Sequence, residues 1–396
     1  MNISTKTLES LAINGGQPLF LKPIPVGQMN FPSWERFEKS FKGIFERQYY
    51  TNHGPLLTEL ELKLEKFLGV KNVLCMTNAT IALMITAKAL DLRGKVITPA
   101  FSFIATAQSL SWAGLTPAFC DIDLKTHHMD INSIEKLIDS DVSAILAVNL
   151  WGGSGDTESL QKLADKKNIK LYFDSAQGFG CERNGINLAN FGEASVFSFH
   201  ATKILNSAEG GCVCTNNDEL AEKIRNIRSS YGTRKTVDIP FTGNGRMSEA
   251  QAAMALLSLE DYSKNQQRNK QFYELYKQQL KDISGLNIYE PDTKGISNYQ
   301  YVVVELEEKS FGLSRDRMVE ILKAENILSR RYFSPGIHRS IPYCNDLPQY
   351  INALPNTDIL CNRLFQLPSG QDVSLEIIER ICDLIKIIHN NATGLK

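Results

Sequence analysis

Between residues 56 and 230 the sequence alternates short apolar runs with longer runs that have one polar face, and this alternation restricts the fold most strongly. The apolar runs predict strands with the sequences VLCMT, KVITPA, AILAVNL, KLYFDSA, SVFSFH and GCVCT. The runs between them, such as LTELELKLEKFL and the stretch from Thr80 to Leu92, are long enough for helices that pack on a sheet. Strands that alternate with helices indicate βαβ units around a mainly parallel sheet.

The sequence changes character after this region. Residues 249–282 contain few helix-breaking residues and predict one long helix or two. They are followed by the strand-like run NYQYVVVELEE, a helix from Arg315 to Glu325 and a terminal helix with the sequence SLEIIERICDLIKIIHN. We therefore expect an α/β protein with a large domain at residues 1–260, including the N-terminal segment, and a small α+β domain at residues 261–396.

Charge and composition exclude several classes of partner. The formal net charge is −1, so the chain has no overall basic field to hold nucleic acid or an anionic membrane. The first residues, MNISTKTLESLAINGG, lack the basic and apolar regions of a signal peptide, and no window reaches about 20 apolar residues. We expect a cytoplasmic protein.

The cysteines point to a reducing compartment and not to a metal site. Most of the eight lie inside apolar runs, as Cys75 and Cys382 do, which is typical of buried free thiols. Cys212 and Cys214 have C-x-C spacing, but no second ligand pair accompanies them. A buried strand therefore explains this pair better than a zinc site, and we predict no metal.

The run SVFSFHATKILNSAEGG places a lysine, Lys203, just after the end of a predicted buried strand. Taken alone, such a lysine is more often a surface residue. However, the ends of parallel strands are where α/β folds build their sites, and partial burial makes a lysine a useful nucleophile or Schiff-base former.

A second strand end, in KLYFDSAQGFG, carries Asp174, which is either a helix or turn cap or a buried acid that needs a cation. A protonated pyridine nitrogen would be such a cation, and an acid that keeps it protonated makes pyridoxal phosphate an electron sink. Gln177, three residues on, is placed to hydrogen bond the phenolic oxygen of that ring.

Two further strand ends complete the set. In MTNATIAL, the N–H groups at Ala79 and Thr80 begin a helix and suit a phosphate, although a plain N-cap is the simpler interpretation. Ser198 adds a hydroxyl. In TPAFSFIATA, Phe103 or Phe101 could stack on a cofactor ring, but aromatic residues here are more often core.

In their order and spacing, these segments resemble the DegT/DnrJ/EryC1/StrS sugar aminotransferases, which belong to the aspartate-aminotransferase-like pyridoxal-phosphate enzymes. The matching segments run from TNHGPLLTELELKLEKFLGV through NATIAL, PAFSFIATA, FCDID, DSAQGFG, SFHATKILNSAEGG and TGNGRMSEAQAAMAL to RRYFSPGIHRSIPY. The resemblance implies a three-layer αβα fold with a mainly parallel central sheet and a smaller α+β C-terminal domain. It also implies pyridoxal 5'-phosphate as cofactor, with pyridoxamine phosphate as its intermediate form.

The resemblance assigns a role to each candidate residue. Lys203 would be the catalytic lysine that binds the cofactor covalently, Asp174 would pair with the ring nitrogen and Gln177 would contact the ring oxygen. Asn244 would reach the phosphate of the neighbouring subunit, which implies a homodimer with shared sites. The remaining implied cofactor contacts are Ala79, Thr80, Phe103 and Ser198.

Two positions bear on how far the resemblance extends. Many family members have a glycine where this chain has Ala79, but the N–H donor is retained, so phosphate binding should survive. Related dehydratases replace the lysine with histidine. Because Lys203 is present here, the resemblance favours transamination over dehydration.

The resemblance also implies the substrates. The amino donor would be glutamate, and the segment RRYFSPGIHRSIPY is similar to that of members that act on nucleotide-linked 4-keto-6-deoxy sugars. Arg331, Tyr332 and His338 in this segment, together with Arg330 and Arg339, suit a diphosphate or sugar hydroxyls, unless the segment is a solvated basic turn.

We expect conversion of dTDP-4-keto-6-deoxyglucose to dTDP-4-amino-4,6-dideoxyglucose for surface polysaccharide (O-antigen). The alternatives are amination of a 3-keto or other sugar nucleotide and a non-catalytic regulatory protein that binds the cofactor. A nicotinamide dehydrogenase would need G-x-G-x-x-G at a strand-to-helix turn, which the sequence lacks.

Overall fold

The computed structural model describes residues 6–27, 30–229, 233–291 and 294–395. They form two units, one around a seven-stranded sheet and one around a four-stranded sheet, and a separate two-stranded hairpin occurs in the sequence between two strands of the larger sheet. No helix among these residues is long and apolar enough to cross a membrane.

The larger sheet has the strand order β1-β9-β8-β5-β4-β2-β3. Six of its strands are parallel, and β9 runs antiparallel to both neighbours. Nearly every residue of these strands is buried, because helices cover both faces of the sheet. The strands are β1 (Asn72–Met76), β2 (Lys95–Pro99), β3 (Thr116–Cys120), β4 (Val142–Val148), β5 (Lys170–Asp174), β8 (Ser195–Ser198) and β9 (Gly211–Thr215), and the hairpin consists of β6 (Glu182–Arg183) and β7 (Ile186–Asn187).

Two layers of helices enclose this sheet. One face is covered by α3, α4 and α7, and the other by α2, α5, α6 and α8, so alternate side chains of each strand enter different cores. The predicted three-layer αβα architecture is therefore confirmed. The helices of this unit are α1 (Trp34–Arg47), α2 (Pro55–Leu68), α3 (Ala79–Ala89), α4 (Ala105–Trp112), α5 (Ile131–Leu137), α6 (Thr157–Lys167), α7 (Asp218–Arg228) and α8 (Glu249–Glu260).

The smaller sheet is antiparallel, with the order β10-β11-β13-β12. Its one face packs on α9, α11 and α14, and its other face packs on α13 and on residues of the large unit such as Phe101 and Trp151. The elements are β10 (Leu286–Ile288), β11 (Val302–Leu306), β12 (Arg330–Arg331), β13 (Leu364–Leu367), α9 (Tyr262–Leu280), α10 (Glu308–Phe311), α11 (Arg315–Ala324), α12 (Tyr343–Asp346), α13 (Pro355–Arg363) and α14 (Leu375–Asn390).

The predicted run at residues 249–282 forms two helices that meet at Asp261. Ser248 and Gln251 form a capping box that starts α8. Tyr262, at the start of α9, packs in the large unit, whereas Tyr276 packs in the small one. The predicted division at residues 260 and 261 thus falls at the turn between the two helices.

The N-terminal residues pack differently from the sequence prediction. The expected large domain included them, whereas Leu11 and Leu19 lie in the core of the small unit. The carboxylate of Glu325, at the end of α11, fixes them there. It is buried, binds Lys6 Nζ at 2.8 Å and accepts the backbone N–H groups of residues 12 and 19. This contact between positions more than 300 residues apart has no local signal in the sequence.

Candidate active site

The ends of four strands bring the candidate residues to one edge of the large sheet. Asp174 ends β5 and Ser198 ends β8, and the turns after β1 and β2 open at the same edge because these strands are parallel. The strand register places the end of β1 level with the end of β8, since Gly211 of β9 pairs with Met76 on one side and with Ser198 on the other.

The turn after β1 leads directly into α3. Asn78 caps the helix, and its side-chain oxygen accepts the N–H of Ile81 at 2.8 Å. The N–H groups of Ala79 and Thr80 belong to the first turn and have no carbonyl partner within the helix, so they are available to an anion. A Cβ on Gly211 would lie 2.7 Å from the Ala79 nitrogen, so glycine allows strand β9 to approach this turn closely.

Asp174 is a buried carboxylate held by two donors. Its Oδ2 accepts the Thr106 hydroxyl at 2.7 Å, and its Oδ1 accepts the N–H of Ala176 at 3.1 Å. Burial raises the pKa of Asp174, while these hydrogen bonds and the charge of Lys203 act in the opposite direction. Within the described ranges it forms no ion pair, so the arrangement still suits a cation above it.

Gln177 is oriented by the turn after β4. Its side-chain oxygen accepts the backbone N–H of Trp151 at 3.0 Å, and its backbone oxygen accepts the Asn298 side chain at 3.0 Å. The fixed oxygen leaves the amide nitrogen as the end that can donate to a ligand.

The two phenylalanines after β2 have different environments. Phe101 is fully buried and packs edge-on against Trp151 and Phe333. Phe103 is 65% exposed at the sheet edge. Phe103 is therefore the more accessible of the two rings, and its stacking on a cofactor remains a prediction.

Lys203 lies in the turn after β8, where its N–H donates to the oxygen of His200 at 2.8 Å. Its Nζ donates to the Tyr301 hydroxyl at 2.9 Å. Burial lowers the pKa of Lys203, and the nearby Tyr332 and Asp174 counteract part of this effect. A lysine with a lowered pKa has a larger fraction of the neutral, nucleophilic amine at neutral pH.

Asn244 lies on the surface close to the turn between β1 and α3 of its own chain, at residues 77–80. It adopts a left-handed backbone conformation with φ of 44°, and the oxygen of Gly245 accepts the N–H of Thr77 at 2.9 Å. Its exposed side chain can meet a second chain. A contact of Asn244 with the phosphate of a partner remains a prediction.

The basic segment after α11 is divided by its local pairings. Tyr332 lies beside Tyr301 near Lys203, with ring centroids 6.2 Å apart. Arg331, in contrast, pairs with Asp316 at 3.3 Å. His338 is fully buried and lies 3.0 Å from Asp358, which also binds Arg339. The structure thus brings Tyr332 to the candidate site but engages Arg331 and His338 elsewhere.

Arg330 differs from its neighbour. The two arginines are consecutive on strand β12, so their side chains leave opposite faces. Arg330 lines a small cleft with Tyr301 and Tyr332 and carries no ion pair among the described residues. Its charge contributes to lowering the pKa of Lys203. Arg330 is therefore the cation of this segment that faces the candidate site.

Four residues of the site escaped the sequence interpretation, namely Thr106, Trp151, Gln300 and Tyr301. Thr106 follows the predicted strand KVITPA and lies within the segment TPAFSFIATA, which was a usable signal. Trp151 acts through its backbone, and Gln300 and Tyr301 come from the other unit, so neither local pattern nor spacing points to them.

The donors and charges at this edge fit pyridoxal phosphate. The start of α3, with Ser198 beside Gly211, presents N–H and hydroxyl donors suited to a phosphate. A buried carboxylate without an ion pair suits a protonated ring nitrogen, and Lys203 supplies an amine. In the part of the chain that the structure describes, no group of His, Cys, Asp and Glu side chains could hold a metal.

Comparison with known proteins finds relatives over most of the chain. A profile of the DegT/DnrJ/EryC1/StrS aminotransferase family matches residues 34–386. The dTDP-4-amino-4,6-dideoxy-D-glucose transaminase of Shigella dysenteriae is 38% identical over 373 residues, which cover 93% of this chain and 99% of that protein. A protein of the same name from Escherichia coli is 33% identical, with coverages of 92% and 98%. The crystal structure of DesI in the presence of its TDP-sugar product superposes with a TM-score of 0.92 at 36% identity, covering 98% of this chain and 97% of DesI.

Proposed function

Because the chain belongs to the DegT/DnrJ/EryC1/StrS aminotransferase family, we propose that it transfers an amino group from L-glutamate to dTDP-4-keto-6-deoxyglucose and forms dTDP-4-amino-4,6-dideoxyglucose. The family confirms the predicted transaminase activity and the pyridoxal-phosphate cofactor. The observation that carries the proposal is the meeting of Lys203, Asp174 and the start of α3 at one sheet edge. The choice of sugar is supported by two relatives of the same name.

The residues that would hold the cofactor divide by the part they bind. Ala79, Thr80 and Ser198 would donate to the phosphate, and Asp174 would pair with the ring nitrogen. Phe103 would cover one face of the ring, and Gln177 would donate to its oxygen. When bound, pyridoxal phosphate supplies an aldehyde that captures amines and a ring that withdraws electrons from the neighbouring carbon.

Lys203 would carry the protons. When Nζ is not bound to the cofactor, its neutral amine would take the proton from the Cα of glutamate. Burial lowers the pKa of Lys203 and so raises the fraction of this neutral form. In the second half of the reaction the same nitrogen would return a proton to the sugar carbon that receives the amine. Asp174 favours both halves by keeping its negative charge beside the ring.

Substrate anions would be bound on the side of the C-terminal unit. Arg330 can form two parallel hydrogen bonds with a carboxylate or a phosphate, and its charge is not neutralised by a described carboxylate. Tyr332 lies next to it with a hydroxyl for the sugar or the donor. The sequence also predicts substrate contacts for Arg331 and His338, but these side chains are engaged by Asp316 and Asp358, so we assign the substrate anion to Arg330.

The proposed assembly is a homodimer with shared sites. Its support is the exposed Asn244, which lies beside the turn between β1 and α3 at the surface, where a second chain can approach. A cytoplasmic location is supported by eight free cysteines, which fit a reducing compartment. The product would supply surface polysaccharide, including O-antigen.

The test is a panel of 3-keto and 4-keto sugar nucleotides incubated with glutamate and the purified enzyme. Mass analysis identifies the aminated product, and NMR locates the amine. We expect the 4-amino product from the dTDP 4-keto sugar, and none from Lys203→Ala. A preference for a 3-keto sugar or another nucleotide would replace the proposed substrate, and the absence of any aminated product would refute the proposal.

A further inference from the structure

A short segment of the C-terminal unit, residues 298–301, reaches the two turns that carry Gln177 and Lys203. The Asn298 side chain donates to the backbone oxygens of Gln177 at 3.0 Å and Phe179 at 3.1 Å. Gln300 accepts the N–H of Ile204 at 2.9 Å. Tyr301 accepts the hydrogen bond from Lys203 Nζ. The segment therefore ties the small unit to both turns.

The segment is itself firmly held. Asn298 is fully buried, and its side-chain oxygen accepts the N–H of Gln300 at 3.0 Å. Asn269 of α9 donates to the oxygen of Asn298 at 3.3 Å. The ring of Tyr301 is buried and packs against Trp151 at 5.7 Å between centroids. The Tyr301 hydroxyl thus has a fixed position relative to Lys203.

We propose that Tyr301 is a positioning residue for Lys203, whose hydroxyl holds Nζ while the lysine amine is free. Gln300 assists by holding the backbone of the lysine turn. The role in catalysis rests on the proposed function, whereas the hydrogen bond does not depend on it.

A phenol suits this task better than a carboxylate would. Burial raises the pKa of Tyr301, so the hydroxyl stays neutral at physiological pH. A carboxylate in its place would stabilise the ammonium form strongly and reduce the fraction of neutral amine. When the neutral amine donates one N–H to the phenol oxygen, its lone pair stays available to take a proton.

The hydrogen bond has a measurable consequence for Lys203. Charge-assisted hydrogen bonds are stronger than neutral ones, so the hydroxyl stabilises the ammonium more than the amine. Tyr301→Phe removes this hydroxyl and keeps the ring that packs on Trp151. We therefore expect the protonation midpoint of Lys203 to fall by about one pH unit.

The experiment is competitive acylation with acetic anhydride from about pH 6 to pH 11, on the full-length chain prepared without cofactor so that Nζ is free. Peptide mass analysis gives the rate at Lys203 relative to Lys42, which is 75% exposed and serves as an internal reference. Tyr276→Phe is the control, because it removes a buried tyrosine hydroxyl that donates to Pro368 in the core of the small unit.

The proposal is supported if Tyr301→Phe lowers the midpoint and Tyr276→Phe leaves it unchanged. It is overturned if the midpoint in Tyr301→Phe is unchanged or raised, or if both variants shift it equally. In the cofactor-loaded enzyme we expect Tyr301→Phe to lower kcat about tenfold with KM within a factor of about two. Acylation requires no sugar substrate, so an error in the proposed sugar leaves this test intact, and a normal midpoint leaves the proposed function intact.

Discussion

Replacing Asp174 with asparagine removes a buried negative charge while keeping the shape of the side chain. An asparagine oxygen at the position of Oδ1 would accept the N–H of Ala176, as the carboxylate does. The new NH2 group would face Thr106, whose hydroxyl could then accept it and donate to Ser102, which lies 2.7 Å away. Every hydrogen bond of the site can therefore be kept.

The sign of the effect on stability follows from the raised pKa of Asp174. An acid whose pKa is higher in the folded chain destabilises the fold once the pH rises above the unfolded value, near 4. Without cofactor, the free energy of unfolding of the wild-type chain should therefore fall as the pH rises from that value to the pKa of Asp174 in the folded chain. Above that pKa the decrease should stay constant. We expect the free energy of unfolding of Asp174→Asn to exceed that of wild type by about 1 to 2 kcal/mol at pH 7. Below about pH 3.5 the two values should be equal.

Urea unfolding of the cofactor-free chain at fixed protein concentration, measured from about pH 3.5 to pH 8, checks this prediction. Asp121→Asn is the matched control. Asp121 is also buried, but its two oxygens accept the N–H groups of Asn356 and Thr357 and the hydroxyl of Thr357. In Asp121→Asn the NH2 group would face a backbone N–H, and two donors cannot form a hydrogen bond. The free energy of unfolding of this variant should therefore be about 1 to 3 kcal/mol lower than that of wild type.

The same substitution should abolish most of the reaction. Without a negative charge beside the ring, we expect the rate of amino transfer to fall by at least about 100-fold in Asp174→Asn. A cofactor-free Asp174→Asn variant that is less stable than wild type at pH 7 would refute this prediction and would show that Asp174 is a satisfied structural carboxylate.

Three further predictions concern the substrate side, the assembly and the N-terminal segment. Arg330→Ala should raise the KM for glutamate or for the sugar nucleotide about tenfold or more in steady-state assays. Arg331→Ala should change neither KM by more than about threefold. A larger effect of Arg331→Ala than of Arg330→Ala would contradict the geometry. If Asn244 acts on the partner's site, a mixed dimer of the inactive Lys203→Ala chain and the Asn244→Ala chain contains one intact site. Mixing the two variants under subunit exchange should therefore restore up to about a quarter of wild-type activity. Activity no higher than that of the separate variants would exclude this role. Glu325→Ala leaves a buried ammonium unpaired and should cost about 3 to 5 kcal/mol in urea unfolding, and a loss below about 1 kcal/mol would show that the N-terminal segment is held by other contacts.

Local sequence patterns were sufficient for the large sheet because its strands are buried on both faces. All six predicted strands are present, from VLCMT to GCVCT, and the predicted helices match α2, α3, α11 and α14. Strand β3, with the sequence TPAFC, was missed because its proline is the second residue of the strand, where it disfavours a strand assignment, whereas the proline of β2 is the last residue. Proline at that position is tolerated because β3 is an edge strand, which only the sheet order reveals.

Lys203, Asp174 and the turn at Ala79 were identifiable from sequence because each stands at the end of a strand, and parallel strands bring such ends to one edge. The partners that tune them were not identifiable in the same way. Tyr301 contacts Lys203 across 98 residues of sequence, and Thr106 contacts Asp174 across 68. Likewise, the position of β12 at the edge of the small sheet determines the surroundings of its two arginines. Arg331 pairs with Asp316, whereas Arg330 is oriented toward Lys203. The sequence by itself therefore determined the sheet, its helices and the residues at the strand ends, because these depend on local hydrophobic periodicity. The tertiary structure decided which side chains hold Lys203 in place and which cation faces it, because those contacts depend on how the two units pack together.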